Sequence, residues 1–422
     1  MGNQITTKYD DRLGDGLTAY RKHNSCETSL IGLVEDWKLA RDNRLSVGIL
    51  STDMSKAFDS LHPALMLCKL KAYGFQHRAL DLLRSYLFSR LGRVHIGSVT
   101  SSWRNVERGC PQGSVLGPLL WNIFQNDLSY SVDSGLSMYA DDHQIYVKGK
   151  DICTVVAKLQ ENATLTTNWY DSNLLQGNLK KYQTMNIRNK SVNYGDKTSI
   201  TVNGKDIMES DNLELLGVTI DCGLNFNLHI SNVCKKASQR IGVIMRLRNL
   251  IPTEAKLHLF KAAILPHLTY CHLVWHFCRA SDTRRLERVQ ERGLRAVFKD
   301  KQSSYQQLLV KAKLPSLYNR RLQDICILMY KVKHNLCPRT ICDMFLTNSH
   351  AYNLRHKDFY QPSFNTVTHG KHSIRYLGPR LWSKIPSKDR SAASLKQFKT
   401  RIRSLDLSSI LDGCSGCYLC NS

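Results

Sequence analysis

The stretch that decides the fold is Leu136–Val147, which reads LSMYADDHQIYV. Apolar residues occupy every second position before the acidic pair and again after it. Alternation with a period of two on both sides of a short acidic break predicts a β-hairpin, with Asp141 and Asp142 at its turn. Aspartate is a common turn residue, so the pair alone is equally consistent with a plain hairpin turn.

A second acidic position follows a strand that looks buried. Leu45, Val47 and Ile49 alternate, and the strand ends at Asp53. Carboxylates beside an apolar core are costly unless cations neutralise them. Two divalent ions about 3.5–4 Å apart could activate a 3′-hydroxyl and stabilise a departing pyrophosphate. Mg²⁺ suits such a site because it accepts a few carboxylates together with phosphate oxygens.

The flanking sequence predicts alternating helices and strands. Pro63 opens one expected helix, which Gly74 ends, and Pro118 opens another. The remaining expected elements are helices over 17–42 and 151–172, two short strands within 92–110, strands near 183–188, 198–203 and 213–220, and basic amphipathic helices over about 229–300. This order predicts the α+β class, with a sheet domain followed by an α-rich region.

Composition favours a polyanionic partner. The 422 residues include 59 Lys and Arg against 35 Asp and Glu, a formal net charge of +24. Such an excess favours nucleic acid because neutralised phosphates release counterions, although a basic protein with no such role has the same composition. The polar start MGNQITTKYDDRLGDG, the 14 scattered cysteines and the lack of a membrane span predict an intracellular protein, nuclear or cytoplasmic and not secreted.

Five segments resemble motifs A to E of reverse transcriptases from non-long-terminal-repeat retrotransposons of the jockey type. In chain order they are TDMSKAFD (Thr52–Asp59), GCPQGSVLGPLLWNIFQNDL (Gly109–Leu128), YADD (Tyr139–Asp142), NLKKYQTM (Asn178–Met185) and LELLGVTID (Leu213–Asp221). The resemblance implies a right-hand polymerase palm with partial fingers, followed by an α-rich thumb and a C-terminal extension. The implied division is 1–44 partial fingers, 45–225 palm, 226–300 thumb-like basic helices and 301–422 extension with a Cys-rich tail.

The resemblance also implies roles for individual residues. It makes Asp53 and Asp141 the main metal ligands, with Asp142 assisting, and Lys181 the acid that protonates pyrophosphate. It places Ala57, Phe58, Gln112, Gly113 and Arg21 around the nucleotide, and Leu216 and Gly217 at the primer grip. Phe58 would exclude a 2′-hydroxyl by a steric clash. The alternatives from spacing alone are that Phe58 is a core aromatic and that Lys181 is an exposed lysine beside Lys180.

The implied activity is RNA-directed DNA polymerisation, with an RNA template, a DNA primer, dNTPs and Mg²⁺ or Mn²⁺. Ala140, the Pro-Gln-Gly motif and Phe58 argue against an RNA-directed RNA polymerase. The segment AYRKHNSCETSL is not preceded by an RPI-like segment, and there is no endonuclease domain. These departures predict a fragment or a truncated copy, so an inactive chain that only binds nucleic acid is the alternative.

Two further features carry predictions. Basic residues recur at helical spacing, and such a face could follow a duplex backbone or be a solvated surface. They are Lys235, Lys236, Arg240, Arg246, Arg248, Arg284, Arg285, Arg288, Arg292 and Arg295. Near the C-terminus, Cys414, Cys417 and Cys420 could bind Zn²⁺ with His369 or His372 as a fourth ligand, or be free thiols.

Overall fold

The structure, a computed structural model, describes residues 12–188, 197–247, 249–347 and 358–408. The chain divides into two compact units, Met1–Ser25 with Leu45–Asp211, and Cys26–Arg44 with Asn212–Ser422. Helix α1 (Cys26–Asp42) therefore belongs to the second unit. Both units mix helices with strands, as the predicted α+β class requires. The predicted division into four parts stays a prediction.

The first unit is built on strands and the helices that cover them. Its elements are β1 (Ser46–Thr52), α2 (Ala57–Ser60), α3 (Pro63–Ala72), α4 (His77–Leu87), β2 (Arg90–Gly92), β3 (His95–Ile96), β4 (Val99–Thr100), β5 (Arg104–Val106), α5 (Leu116–Gln125), a 3₁₀ turn Asn126–Tyr130, β6 (Gly135–Tyr139), β7 (Asp142–Gly149), α6 (Ile152–Ser172), β8 (Gln183–Ile187), β9 (Ser199–Val202) and β10 (Lys205–Met208).

A four-stranded antiparallel sheet with the order β6-β7-β1-β8 forms the centre of this unit. All seven residues of β1 are buried, as expected for a central strand. Helix α6 lies close on one face of the sheet, because a Cβ on Gly48 would come within 2.8 Å of Val155 Cγ1. Asp151 begins α6 as its N-cap by accepting a hydrogen bond from Thr154 N at 2.7 Å.

The hairpin predicted at Leu136–Val147 is present, but its turn is shifted by one residue. Tyr139 pairs with Asp142, so Ala140 and Asp141 form the turn and Asp142 begins β7. Ala140 has a φ of 56°, which is uncommon for a residue other than glycine. The expected turn Asp141–Asp142 is therefore wrong, and Asp142 is fixed by a strand.

Other expected elements are confirmed or corrected. Pro63 opens α3, and Gly74, with a φ of 86°, follows its end. The helix expected over 17–42 begins only at Cys26, because the segment before it bonds to the edge strand β6, through Met138 N to Gly16 O at 2.7 Å. The region 92–110 forms two nested strand pairs, β2–β5 and β3–β4, instead of two strands.

The second unit is mostly helical. Besides α1 it contains β11 (Asn212–Leu215), β12 (Val218–Asp221), α7 (Asn227–Arg246), α8 (Thr253–Leu259), a π turn Phe260–Ile264, α9 (Leu265–Thr269), α10 (Ala280–Phe298), α11 (Tyr305–Ala312), α12 (Leu317–Lys333), α13 (Arg339–Cys342), a π turn Val367–Lys371, α14 (Ile374–Lys384), α15 (Ser387–Arg390) and α16 (Leu395–Arg403). The single strand expected at 213–220 is instead the hairpin β11–β12.

Buried polar contacts fix α1 within this unit. Glu35 accepts hydrogen bonds from Ile374 N and Arg375 N, the first backbone donors of α14, at 3.1 and 3.2 Å. A carboxylate stabilises such an end by satisfying donors that have no partner within the helix. Of the helices that the structure describes, none combines the length and apolarity needed to span a bilayer.

Candidate active site

The predicted carboxylates lie at one end of the four-stranded sheet. Strand β1 pairs with β7 through Thr52 and His143, and with β8 through Ser51 and Gln183. Continuing both registers places Asp53 between Asp142 on one side and Lys181 on the other. Residues directly opposite in neighbouring strands share a face of the sheet. Asp53, Asp142 and Lys181, predicted from motifs far apart in sequence, therefore meet at one end of the sheet.

Lys181 forms an ion pair with the first of these carboxylates. Its Nζ lies 2.7 Å from Asp53 Oδ2. Backbone hydrogen bonds hold Lys181 beside Asp53, because Asn178 N donates to Asp53 O at 2.8 Å and Lys181 N donates to Asn178 O at 2.9 Å. The lysine side chain is 66% exposed, so its ammonium is also accessible from solvent. The segment resembling motif D is thus fixed against the end of β1.

The carboxylates interact electrostatically. Burial, together with the like charges of Asp141 and Asp53, raises the pKa of Asp142 to about 6, and the charge of Lys181 opposes this rise. The contact with Asp53 and the charge of that carboxylate raise the pKa of Lys181, which keeps its amine protonated. Asp53 is buried, and its Oδ2 has the Lys181 ammonium nearby but no donor in good hydrogen-bonding geometry. An extra positive charge at this edge would relieve the repulsion.

We expect Asp142→Asn to stabilise the protein at pH 7 without divalent ions. A raised carboxyl pKa means that the native state binds the proton more tightly than the unfolded state, so the stability due to this group is present below about pH 4 and lost as pH rises through about 6. We expect a gain on the order of 1 kcal/mol after allowance for screening by solvent.

Urea unfolding of wild type and Asp142→Asn between pH 4 and pH 7 measures this effect. The difference between the two unfolding free energies should shrink as the pH falls, and Asp15→Asn, at an exposed aspartate, is the control. A difference that is constant with pH would contradict the expectation. So would a wild type that is more stable than Asp142→Asn at pH 7.

The donor set fits a hard divalent cation. Mg²⁺ and Mn²⁺ prefer carboxylate oxygens, and the buried Oδ2 of Asp53, which already attracts the Lys181 ammonium, is such an oxygen. Within the described residues, no group of three or more His, Cys, Asp or Glu side chains has an arrangement that holds a metal ion. Mutual repulsion of like-charged carboxylates opposes such convergence.

An aromatic cluster adjoins the carboxylates. Phe58 is half-buried, and its ring centroid lies 5.4 Å from that of Trp121 and 6.2 Å from that of Tyr20. Trp121 Nε1 donates a hydrogen bond to Ala140 O at 2.9 Å, which ties α5 to the acidic turn. Tyr20 is 56% exposed, and burial, followed by the charge of Asp141, raises its pKa. Sequence reasoning missed Tyr20 and Trp121.

Four other residues were predicted to bind the nucleotide, and they lie in different segments of the chain. Ala57 is buried at the start of α2, next to Phe58. Gln112 Nε2 donates to Asp59 Oδ1 at 2.8 Å, so the Pro-Gln-Gly loop is bonded to the segment after β1. Gly113 has a φ of 79°, and a Cβ added to it would meet no described atom within 4 Å. Arg21 bonds to the carbonyls of Gly14 and Leu17.

The predicted primer-grip residues form a tight turn in the second unit. Leu216 and Gly217 connect β11 to β12, with φ values of 48° and 77°. Two positive φ values in a two-residue loop are typical of a type I′ turn. Tyr270 donates its hydroxyl hydrogen to Leu216 O at 2.8 Å, which stabilises an unfavourable conformation for leucine.

The basic helices of the second unit form a groove of about 600 Å³. Its lining residues from α7 and α10 are Ser231, Asn232, Cys234, Lys235, Ser238, Arg285, Arg288, Val289 and Arg292. Arg285 donates to Ser231 Oγ at 2.8 Å. Elsewhere on the predicted face, Arg240 and Arg295 are bonded within the unit, to Ala263 O and Glu291 Oε1. Arg248 lies outside the described residues.

The predicted zinc site cannot be followed in full, because Cys414, Cys417 and Cys420 lie outside the described residues. The two histidines proposed as partners are described. Burial lowers the pKa of both, that of His369 to about 4, so each is neutral at pH 7. The cysteines in the described ranges are free thiols.

Carboxylates at the edge of an antiparallel sheet, with a lysine and an aromatic cluster beside them, define a candidate site for metal-dependent phosphoryl chemistry. The family model for reverse transcriptase (RNA-dependent DNA polymerase) matches residues 3–220, just over half of the chain. The chain belongs to that family, and its similarity to polymerases of jockey and related mobile elements confirms the predicted resemblance.

The relatives include two proteins from Drosophila melanogaster. The RNA-directed DNA polymerase from mobile element jockey is 27% identical over 257 residues, 58% of this chain and 28% of that protein. The probable RNA-directed DNA polymerase from transposon BS is 27% identical over 298 residues, 68% of this chain and 32% of that protein. This chain spans less than a third of either relative.

Among solved structures, a telomerase from Candida tropicalis aligns with 96% of this chain and 55% of its own, at 10% identity and a TM-score of 0.40. The family membership rests on the sequence match.

Proposed function

We propose that this chain is an RNA-directed DNA polymerase that extends a DNA primer on an RNA template with dNTPs. The observation that carries the proposal is the position of Asp53 between Asp142 and Lys181 at one edge of the sheet. Family membership supports it, because the matched residues 3–220 include all three side chains. The proposal extends to the right-hand architecture of palm, partial fingers and thumb.

In this proposal Asp53, Asp141 and Asp142 hold Mg²⁺ or Mn²⁺. When bound, such ions supply Lewis-acid stabilisation of the attacking and departing oxygens of an in-line displacement. The half-buried Asp142 favours a cation because burial and the two neighbouring negative charges destabilise its ionised form. Lys181 remains protonated beside Asp53 and would donate its proton to the departing pyrophosphate. Zinc binding by the C-terminal cysteines stays a prediction.

The remaining residues shape the substrate side. Phe58, held against Trp121, would lie below the sugar and exclude a 2′-hydroxyl. Ala57 is buried beside it at the start of α2, and Gln112 and Gly113 would line the pocket of the nascent base pair. Arg21 would contact the triphosphate or the template. This contact requires it to give up its bonds to the carbonyls of Gly14 and Leu17.

The turn Leu216–Gly217 would hold the primer terminus. Its backbone is fixed by the type I′ geometry and by the bond from Tyr270, so it is presented with little conformational freedom. A preformed turn loses less entropy on binding than a mobile loop does.

The basic groove of the second unit would bind the phosphate backbone of the template–primer duplex. Lys235, Arg288 and Arg292 are exposed, and none of them has a hydrogen bond or ion pair within the described part of the chain. Cations without an internal partner are free to pair with phosphates, and such contacts carry no sequence information.

We expect the double variant Lys235→Gln, Arg288→Gln to bind an RNA–DNA hybrid duplex with a weaker dependence on salt. Each lost phosphate contact should reduce the slope of log K against log salt by about one, so the double variant should lose about two. Fluorescence anisotropy at several salt concentrations measures the slope. Lys396→Gln, Lys399→Gln on α16 removes the same charge at exposed positions outside the groove. Equal slopes for both double variants would contradict the expectation.

Primer extension tests the proposed function. Purified chain, an RNA template annealed to a DNA primer, dNTPs and either Mg²⁺ or Mn²⁺ should give products that depend on the metal and on the template. A folded protein that binds the duplex without incorporation under either metal would overturn the polymerase proposal. That result would favour the alternative, a chain that only binds nucleic acid, which the groove supports independently of the carboxylates.

A further inference from the structure

A continuous series of buried hydrogen bonds links β1, α6, β7 and α5 next to the carboxylates. Thr52 Oγ1 lies 2.7 Å from the Tyr170 hydroxyl, which lies 3.0 Å from His143 Nδ1. His143 Nε2 lies 2.9 Å from Gln125 Oε1, and Gln125 Nε2 donates to Asn122 Oδ1 at 3.3 Å. All five side chains are at most 2% exposed.

Each side chain in this hydrogen-bonded series can donate to the next one, starting from Thr52. The amide oxygen of Gln125 can only accept, so His143 Nε2 carries the proton and donates it. With the proton on Nε2, the Nδ1 of the ring accepts from the Tyr170 hydroxyl. That hydroxyl then accepts from Thr52 Oγ1. Every group in the series is satisfied, which rigidifies a buried polar network.

Two members of this hydrogen-bonded series are sequence neighbours of the carboxylates. Thr52 immediately precedes Asp53, and His143 immediately follows Asp142. Thr52 and His143 are partners in the β1–β7 register, so both point toward the face that α6 covers, where Tyr170 lies. Because side chains alternate along a strand, the two carboxylates point to the opposite face. Tyr170 thus joins the two strand ends that carry them.

We propose that Tyr170 is a positioning residue that sets the separation of Asp53 and Asp142 by bridging Thr52 and His143. A cation shared by carboxylates requires them at a defined distance, and groups that fix the ligands control its affinity. The three residues come from β1, β7 and α6, and Gln125 adds α5. The inference rests on the proposed function, since it assigns Tyr170 to the same metal-binding edge.

Tyr170→Phe tests the proposal because it removes only the bridging hydroxyl and keeps the ring, which packs at 5.9 Å from His143 and 5.8 Å from Trp169. Binding of Mn²⁺ to the full chain, measured from the free-ion signal in electron paramagnetic resonance, is the readout apart from activity. We expect Tyr170→Phe to weaken Mn²⁺ binding about tenfold. Primer extension should require a correspondingly higher Mn²⁺ concentration.

Tyr330→Phe is the matched control for stability. Tyr330 is also 2% exposed, and its hydroxyl donates to Ala392 O at 2.8 Å in the second unit. Both variants lose one buried hydroxyl group, with two hydrogen bonds at Tyr170 and one at Tyr330, so both should lower the unfolding midpoint. Only Tyr170→Phe should change Mn²⁺ binding. If the two variants bind Mn²⁺ equally, Tyr170 contributes to packing alone and the proposal is overturned.

A double-mutant cycle separates a bridge from two independent contacts. Thr52→Val removes the other hydroxyl of the 2.7 Å contact with a side chain of the same shape. The double variant Thr52→Val, Tyr170→Phe should bind Mn²⁺ no more weakly than Tyr170→Phe alone, whereas additive losses would overturn the bridge. A wild type that neither binds Mn²⁺ nor extends a primer would instead overturn the proposed function, together with this inference.

Discussion

Replacement of Asp141 by asparagine is expected to reduce primer extension on an RNA template by at least about 10³-fold. The substitution removes a negative charge from the turn Ala140–Asp141 while keeping the size of the side chain. Metal-ion stabilisation is worth several kcal/mol at the transition state, and a factor of 10³ corresponds to about 4 kcal/mol. Asparagine is also a good turn residue, so the hairpin should form as before.

The control is Asp133→Asn in the same unit. Asp133 is 88% exposed and forms an ion pair with Lys158 at 2.8 Å, so the substitution removes an equivalent charge from a paired aspartate elsewhere. Single-turnover extension at saturating dNTP, with both Mg²⁺ and Mn²⁺, compares the two variants. Extension by Asp141→Asn at a rate close to that of Asp133→Asn would remove Asp141 from the proposed catalytic residues.

Replacement of Phe58 by valine is expected to reduce the preference for dNTPs over rNTPs by about 10²-fold. Phe58 is half-buried against Trp121, so its ring has a fixed position from which it can clash with a 2′-hydroxyl. A steric contact of this kind discriminates a single hydroxyl by roughly that factor. The ratio of kcat/KM for dGTP and GTP on the same template measures the change.

Loss of aromatic volume alone could also perturb the protein, so Phe75→Val is the matched substitution. Phe75 is a buried member of the same hydrophobic core, between α3 and α4. It should lower the free energy of unfolding and leave the dNTP preference as in wild type. If Phe58→Val and Phe75→Val give the same ratio, Phe58 is a core aromatic, the alternative that its spacing also allowed.

The elements that local signals specify were predictable. Pro63 and Gly74 bound α3 because proline and glycine act through their own backbone preferences. Only two short strands were expected where β2 to β5 form two nested pairs, because each strand has only two or three residues, too few for a period to show. The hairpin β11–β12 was read as one strand because apolar Leu216 occupies a turn position that usually carries glycine or asparagine.

The candidate site was predictable only where a motif carried it. Asp53, Asp141, Asp142 and Lys181 were named from sequence, and the register of β1 with its two neighbours explains why Asp53, Asp142 and Lys181 lie together. Tyr170 and His143 were missed because their meaning lies in contacts between distant segments, which neither alternation nor composition encodes. Trp121 was missed for the same reason: its indole bond to Ala140 depends on how α5 lies beside the hairpin.

The central position of β1 has a consequence for copies of this sequence that accumulate mutations. At the end of β1, Asp53 points to one face of the sheet and Thr52 to the other. The pairing of β1 with β7 and its pairing with β8 both depend on the number of residues in β1. Inserting or deleting one residue within Ser46–Thr52 would exchange the two faces at a single stroke. Lineages should therefore tolerate amino-acid substitutions in this strand far more readily than insertions or deletions.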